Sequence, residues 1–132
     1  MTHSFALRVY YEDTDLAGIV YYANYLKFIE RARSEWVRDQ GVDQGAMRAQ
    51  GRVFAVRRVV ADYLAPARFD DLLEVQTELS VASGAKILLK QVVWRDVVPL
   101  FHAEVTLVCI TIAGGATRIP ADIRQKLFPF QE

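Results

Sequence analysis

The 132-residue chain carries 16 Lys+Arg against 16 Asp+Glu, a formal net charge of +0, and 52% hydrophobic residues. That size and balance describe one globular domain spanning residues 1–132, with no broad basic field to hold a polyanion, so nucleic-acid binding is not expected. A single cysteine excludes an intramolecular disulfide, no Cys/His spacing suggests a structural zinc, and no run approaches the ~18 apolar residues of a membrane span.

The N-terminal stretch lacks a basic segment followed by an apolar run, so the chain is read as cytoplasmic and not membrane-inserted. Phe5 to Tyr11 reads as a first strand that ends in the acidic, glycine-containing stretch Glu12 to Gly18. A long helix follows. Tyr25, Phe28, Ile29, Ala32 and Trp36 recur at helical spacing on one apolar stripe, and Gly41 is a natural stop. Asp43 to Gly51 has room for a short helical turn.

From Arg52 onward the pattern is β. Val53 to Leu64 is a β-branched run closed by Ala65-Pro66. Leu73, Val75, Thr77, Leu79 and Val81 alternate with polar residues, as in a sheet with one wet face. Lys86 to Trp94 and Leu100 to Ile112 are two further strands, separated by a turn over Asp96 to Pro99. Gly114-Gly115 turns the chain again, and Pro120 opens a short helix, Ala121 to Phe128. One long helix and five or six strands, with a sheet face that needs covering, predict an α+β hotdog arrangement: a curved antiparallel sheet wrapped around a central helix. The uncovered edges predict a homodimer or homotetramer.

Chemistry concentrates between the first strand and the helix. Glu12, Asp13, Asp15 and Gly18 precede the helix start, where free backbone N–H groups attract negative charge and a nearby carboxylate can act on an electrophile. The plain structural alternative makes Asn24 an N-cap and Gly18 a tight-turn glycine.

Arg8, Val9, Thr14, Asp15, Gly18, Ile19, Val20, Asn24 and Tyr25 stand at the spacing of a long gapped signature, and the likeness continues through Lys27 to Arg33, Phe54 to Arg58 and Tyr63 to Ala67. On these residues the chain resembles the 4-hydroxybenzoyl-CoA thioesterase family and its YbgC-like, Tol-Pal-associated branch. The resemblance implies hydrolysis of acyl-CoA thioesters without metal or separate cofactor, coenzyme A being part of the substrate. It assigns the catalytic carboxylate to Asp15, oxyanion stabilisation to the backbone N–H of Tyr22, and loop geometry to Gly18. Relatives often carry His where this chain has Tyr22.

Substrate contacts are expected from Tyr21 and Asn24, and phosphate contacts from Arg57, Arg58 and Lys86. Adjacent strand residues point to opposite faces, so Arg57 and Arg58 serve one site only if a bulge intervenes. The resemblance also implies contact with an acyl carrier protein. Glu30, Glu35 and His102 rank below Asp15 as catalytic groups. The main alternative is a noncatalytic module that binds acyl-CoA or an acylated carrier. A dehydratase of the same fold would need a histidine at the helix start, where His3 and His102 do not lie.

Overall fold

The computed structural model describes residues 2–128. Its strands are β1 (Thr2–Arg8), β2 (Arg52–Tyr63), β3 (Leu72–Ala82), β4 (Lys86–Arg95), β5 (Val98–Thr111) and β6 (Ala116–Thr117). Its helices are α1 (Asn24–Asp39), α2 (Gln44–Ala49) and α3 (Ala121–Leu127), with a 3-10 turn at Tyr11–Asp13. The strands form one antiparallel sheet in the order β1-β3-β4-β5-β2, and β6 pairs with β5. α1 lies along this sheet.

The predicted stripe of α1 is buried throughout: Tyr25, Phe28, Ile29, Ala32 and Trp36 are joined in the core by Val75, Ile87, Leu89, Leu100, Phe101 and Val105. Burying each such side chain contributes roughly 1.5–3 kcal/mol. Beneath the helix the side-chain amide of Gln91 is engaged at both its nitrogen and its oxygen. The Gln91 amide donates to the Ile29 carbonyl and to Thr77 Oγ1, each at 2.9 Å, while Arg33 donates to Gln91 Oε1 at 3.0 Å. Burial lowers the Arg33 pKa, which the charge of Glu30 partly restores.

Gly41, with φ +86°, ends the helical region, and Asp43 caps α2 by accepting the Ala46 N–H at 3.0 Å. Three expectations need correction. β1 stops at Arg8 and not at Tyr11, because the Asp13 carboxylate accepts the Tyr10 N–H at 2.8 Å and turns the chain into the 3-10 segment. A register shift between Leu79 and Val81 breaks the alternation of β3, leaving Val81 exposed. The turn before β5 comprises only Asp96 and Val97; Pro99 lies inside the strand, opposite Trp94, where the register also shifts. The short strand β6, after the Gly114-Gly115 turn, is the sixth of the five or six strands expected.

α1 runs along the strands. Its first turn meets the ends of β2 and the start of β5 through Tyr25, Tyr63 and Phe101, while its last turn meets the start of β1 through the His3–Asp39 contact at 2.8 Å. Among the described residues the outer edge of β2 is unpaired, and Val56, Val59 and Val60 are exposed along it.

Candidate active site

Asp15 sits on a small hairpin. Thr14 bridges Val20, the Asp15 N–H donates to Ile19 O at 2.9 Å, and the Gly18 N–H donates to Asp15 O at 3.0 Å. This is a three-residue loop whose last position needs a left-handed residue, and Gly18 supplies φ +77° there. Asp15 Oδ1 accepts the Ala17 N–H at 2.9 Å. That bond orients the carboxylate. The second oxygen takes no hydrogen bond from the described residues, and the side chain is half-buried.

The other two acids of the segment stand differently. Asp13 is buried and its carboxylate is engaged by Tyr10, whereas Glu12 is exposed. The Asp13 carbonyl accepts both the Tyr21 N–H at 3.0 Å and the Asn24 side-chain amide at 2.9 Å. Asn24 is thus the first residue of α1 and not its N-cap, which is Ala23. Its amide fastens the hairpin to the helix.

The approach to α1 leaves donors open. Tyr21 O accepts the Asn24 N–H at 2.8 Å, but the N–H groups of Tyr22 and Ala23 make no hydrogen bond among the described residues. Such groups at a helix start favour negative charge. Tyr22 is 62% exposed and Tyr21 47% exposed, so both rings stand at the surface. Tyr25 is buried. Its hydroxyl accepts the Ala67 N–H at 2.9 Å and its ring stacks on Phe101 with centroids 5.0 Å apart.

Behind the hairpin, residues 64–71 form a cradle. Ile19 bridges Arg68, and the Val20 N–H donates to Ala67 O at 2.8 Å. Arg8, at the end of β1, donates to both the carbonyl and the carboxylate of Asp70 at 3.0 Å, and Arg95 pairs with Asp71 at 3.0 Å. The first signature residue thus fixes the backing loop.

The predicted phosphate ligands lie elsewhere. The pairing of β2 with β5 shifts between Val56 and Arg58, so the bulge that would let adjacent Arg57 and Arg58 share a face is present; both are exposed. Lys86 opens β4, whereas Asp15 lies near the end where Arg8 pairs with Leu72 at the start of β3. The eleven residues of β3 separate those ends by about 30 Å, so one chain does not bring Lys86 and Asp15 together. Arg118 joins Lys86 there: its guanidinium lies directly over Gly84, where a Cβ would collide with it. Sequence reasoning missed Arg118. The only signal was the absence of a side chain at Gly84.

The lower-ranked groups are occupied or solvated. Glu35 pairs with Arg38 at 2.6 Å, and His102 approaches Asp62 at 3.6 Å on the exposed side of the sheet. Glu30, exposed, helps line a cavity of about 130 Å³ with Arg33, Ser34, Val37 and Phe54. Asp15 does not line that cavity. Among the described residues no three His, Cys, Asp or Glu side chains are grouped as metal ligands.

Residues 9–127 match the family model of the thioesterase-like superfamily. The chain belongs to this superfamily. Among its relatives is the acyl-CoA thioester hydrolase YbgC of Escherichia coli, 45% identical over 105 residues, or 79% of this chain and 78% of that one. The acyl-CoA thioesterase YbgC of Haemophilus influenzae is 44% identical over 110 residues, covering 83% and 81%. A probable thioesterase from Bartonella henselae superposes with a TM-score of 0.86 at 36% identity, over 91% of this chain and 100% of that one. A 4-hydroxybenzoyl CoA thioesterase mutant complexed with 4-hydroxybenzoyl CoA shares the fold, with a TM-score of 0.87 at 21% identity over 96% and 98%. The hotdog arrangement predicted from the sequence is therefore the fold of this superfamily member.

Proposed function

We propose that the protein hydrolyses acyl-CoA thioesters, releasing a carboxylic acid and coenzyme A, with Asp15 acting beside the open N–H groups of Tyr22 and Ala23. One observation carries this reading: a half-buried carboxylate with a free oxygen on the hairpin that leads into a helix start whose donors are unpaired. The YbgC relatives, named as acyl-CoA thioester hydrolases, support the substrate class.

The chemistry needs few groups. A thiol has a pKa of about 8.5, so the thiolate leaves without a general acid. What remains is to deliver an oxygen nucleophile and to hold the developing oxyanion. Asp15 either deprotonates a water that attacks the carbonyl carbon, or attacks that carbon itself to give a mixed anhydride that water opens. In both routes the carbonyl electrons move onto oxygen, which the N–H of Tyr22 stabilises. An oxyanion donor is typically worth about 3 kcal/mol of barrier. Because the donor belongs to the backbone, the Tyr22 side chain is not required for it.

The substrate's phosphates lie far from its thioester, and two of the cations read as their partners, Lys86 and Arg118, lie at the opposite end of the sheet from Asp15. The functional unit is therefore read as a homodimer. Antiparallel pairing of two β2 edges sets the Tyr63 end of one strand beside the Arg52 end of the other, and so brings Lys86 of the partner subunit to the Asp15 end. Arg57 and Arg58, on the bulge of β2, lie along that path. Tyr21 is read as a contact at the acyl entrance, a reading supported by its exposure beside Tyr22, with which its ring packs at 5.0 Å.

The test is thiol release from acetyl-, hexanoyl-, palmitoyl- and benzoyl-CoA by the folded protein. Stoichiometric CoA release, with turnover, supports the reading; tight binding of these compounds without release contradicts it and favours a noncatalytic acyl-CoA module.

A further inference from the structure

Tyr63 ends β2, 41 residues from the helix start, yet its hydroxyl donates to the Tyr22 carbonyl at 3.0 Å. The ring is braced from three sides: edge-on to Tyr22 with centroids 6.1 Å apart, to Tyr25 at 5.6 Å and to Phe101 at 5.0 Å. Tyr25 and Phe101 are buried, so the ring is held by the core while its hydroxyl reaches the open end of the helix. Tyr63 itself is 48% exposed, and its partial desolvation, with a smaller contribution from Tyr22, raises its pKa.

The bond has a directional consequence. In a planar trans peptide the carbonyl and the following N–H point in opposite directions. Holding the Tyr22 carbonyl toward Tyr63 therefore aims the Ala23 N–H away from it. The preceding plane is held in the same manner, by the Asn24 N–H on the Tyr21 carbonyl, which aims the Tyr22 N–H. The two open donors thus belong to two successive peptides, each locked through its carbonyl. One lock is local to the turn. The other comes from the sheet.

We infer that Tyr63 is a positioning residue for thioester hydrolysis: its hydroxyl fixes the Tyr22–Ala23 peptide so that the Ala23 N–H serves as a second oxyanion donor beside that of Tyr22. The inference rests on the acyl-CoA hydrolase reading. It assigns to Tyr63 no contact with substrate. Without the hydroxyl, that peptide is free to rotate, and part of the reorganisation that a preset donor pair avoids returns to the transition state.

Tyr63→Phe keeps the ring and its packing and removes only the oxygen. With hexanoyl-CoA, kcat is expected to fall about tenfold, the effect of ~1.4 kcal/mol on the barrier. KM, the inhibition constant of the hexyl-CoA thioether, which lacks the carbonyl, and the melting temperature are expected to stay as in the wild type. A kcat within about twofold of wild type overturns the inference. So does a joint shift of kcat, KM, thioether inhibition and melting temperature, which marks a purely structural role. If the wild-type protein itself releases no CoA, the hydrolase reading falls first and the inference falls with it, an outcome distinct from an active wild type with an equally active Tyr63→Phe.

Discussion

The side-chain amide of Asn24 donates to the backbone carbonyl of Asp13 at 2.9 Å, joining the first residue of α1 to the end of the 3-10 turn that delivers Asp15 two residues later. The same carbonyl accepts the Tyr21 N–H, so one oxygen fastens both sides of the site. Asn24 therefore acts on the spacing between carboxylate and helix and not as a cap. Asn24→Ala is expected to cost about 1 kcal/mol of stability and to lower kcat roughly tenfold. Asn24→Asp, nearly identical in shape, is expected to be worse on both counts, because it sets an anionic acceptor against an acceptor. Denaturant unfolding and CoA-release kinetics on the two variants check this; an Asn24→Asp variant as stable and active as wild type contradicts it.

How far this arrangement was legible in the sequence depended on whether each feature had a local cause. The α1 stripe from Tyr25 to Trp36 was readable because burial on one helix face imposes a period, and Gly18 and Gly41 because a left-handed backbone selects glycine. The segment holding the site was visible as acids and a glycine ahead of a helix. Its internal division was legible only through the family resemblance, which points to Asp15: by residue type Asp13 and Asp15 look alike, and in the structure each carboxylate accepts one backbone N–H, from Tyr10 and from Ala17, while burial separates them, Asp13 being buried and Asp15 half-buried. The Tyr63 bond to Tyr22 and the Arg118 guanidinium over Gly84 join distant segments, so no spacing rule could reveal them. The displaced end of β1 and the bulge at Val81 arise from single hydrogen bonds and register slips that override an otherwise regular β pattern.

Alkaline pH tests the packing behind the site. Burial raises the Tyr25 pKa above its ordinary value of 10.0, an effect that the Ala67 N–H opposes in part and nearby Tyr63 reinforces. A raised native pKa means that the contribution is intact below about pH 10 and is lost as pH climbs through the native value. Tyr25→Phe removes that titration, so its stability is expected to fall less steeply above pH 10. At neutral pH the same variant strands the Ala67 N–H in the core and is expected to be about 1–2 kcal/mol less stable. Urea unfolding of both proteins between neutral and strongly alkaline pH shows whether the two curves converge; parallel curves contradict the prediction.

The dimeric reading of the site predicts complementation. Asp15→Asn and the double variant Lys86→Ala/Arg118→Ala should each be poor catalysts as homodimers, the first through kcat and the second through a KM raised roughly tenfold or more by lost phosphate contacts. Mixing and refolding them together should restore activity, because one site of each mixed dimer combines an intact Asp15 with an intact Lys86 and Arg118 from the other chain. Activity of the mixture equal to the average of the two parents contradicts a site shared between subunits.

The most direct measurement compares CoA release by the wild type with that of Asp15→Asn at saturating acyl-CoA, after circular dichroism and sedimentation establish that both have the same fold and assembly. Asn keeps the shape and can still accept the Ala17 N–H, but it carries no charge and cannot take up a proton or form the anhydride. The account predicts unchanged folding and a kcat lowered at least about 100-fold, or ~2.7 kcal/mol in the barrier. Turnover within a few-fold of wild type contradicts it and removes Asp15 from the chemistry.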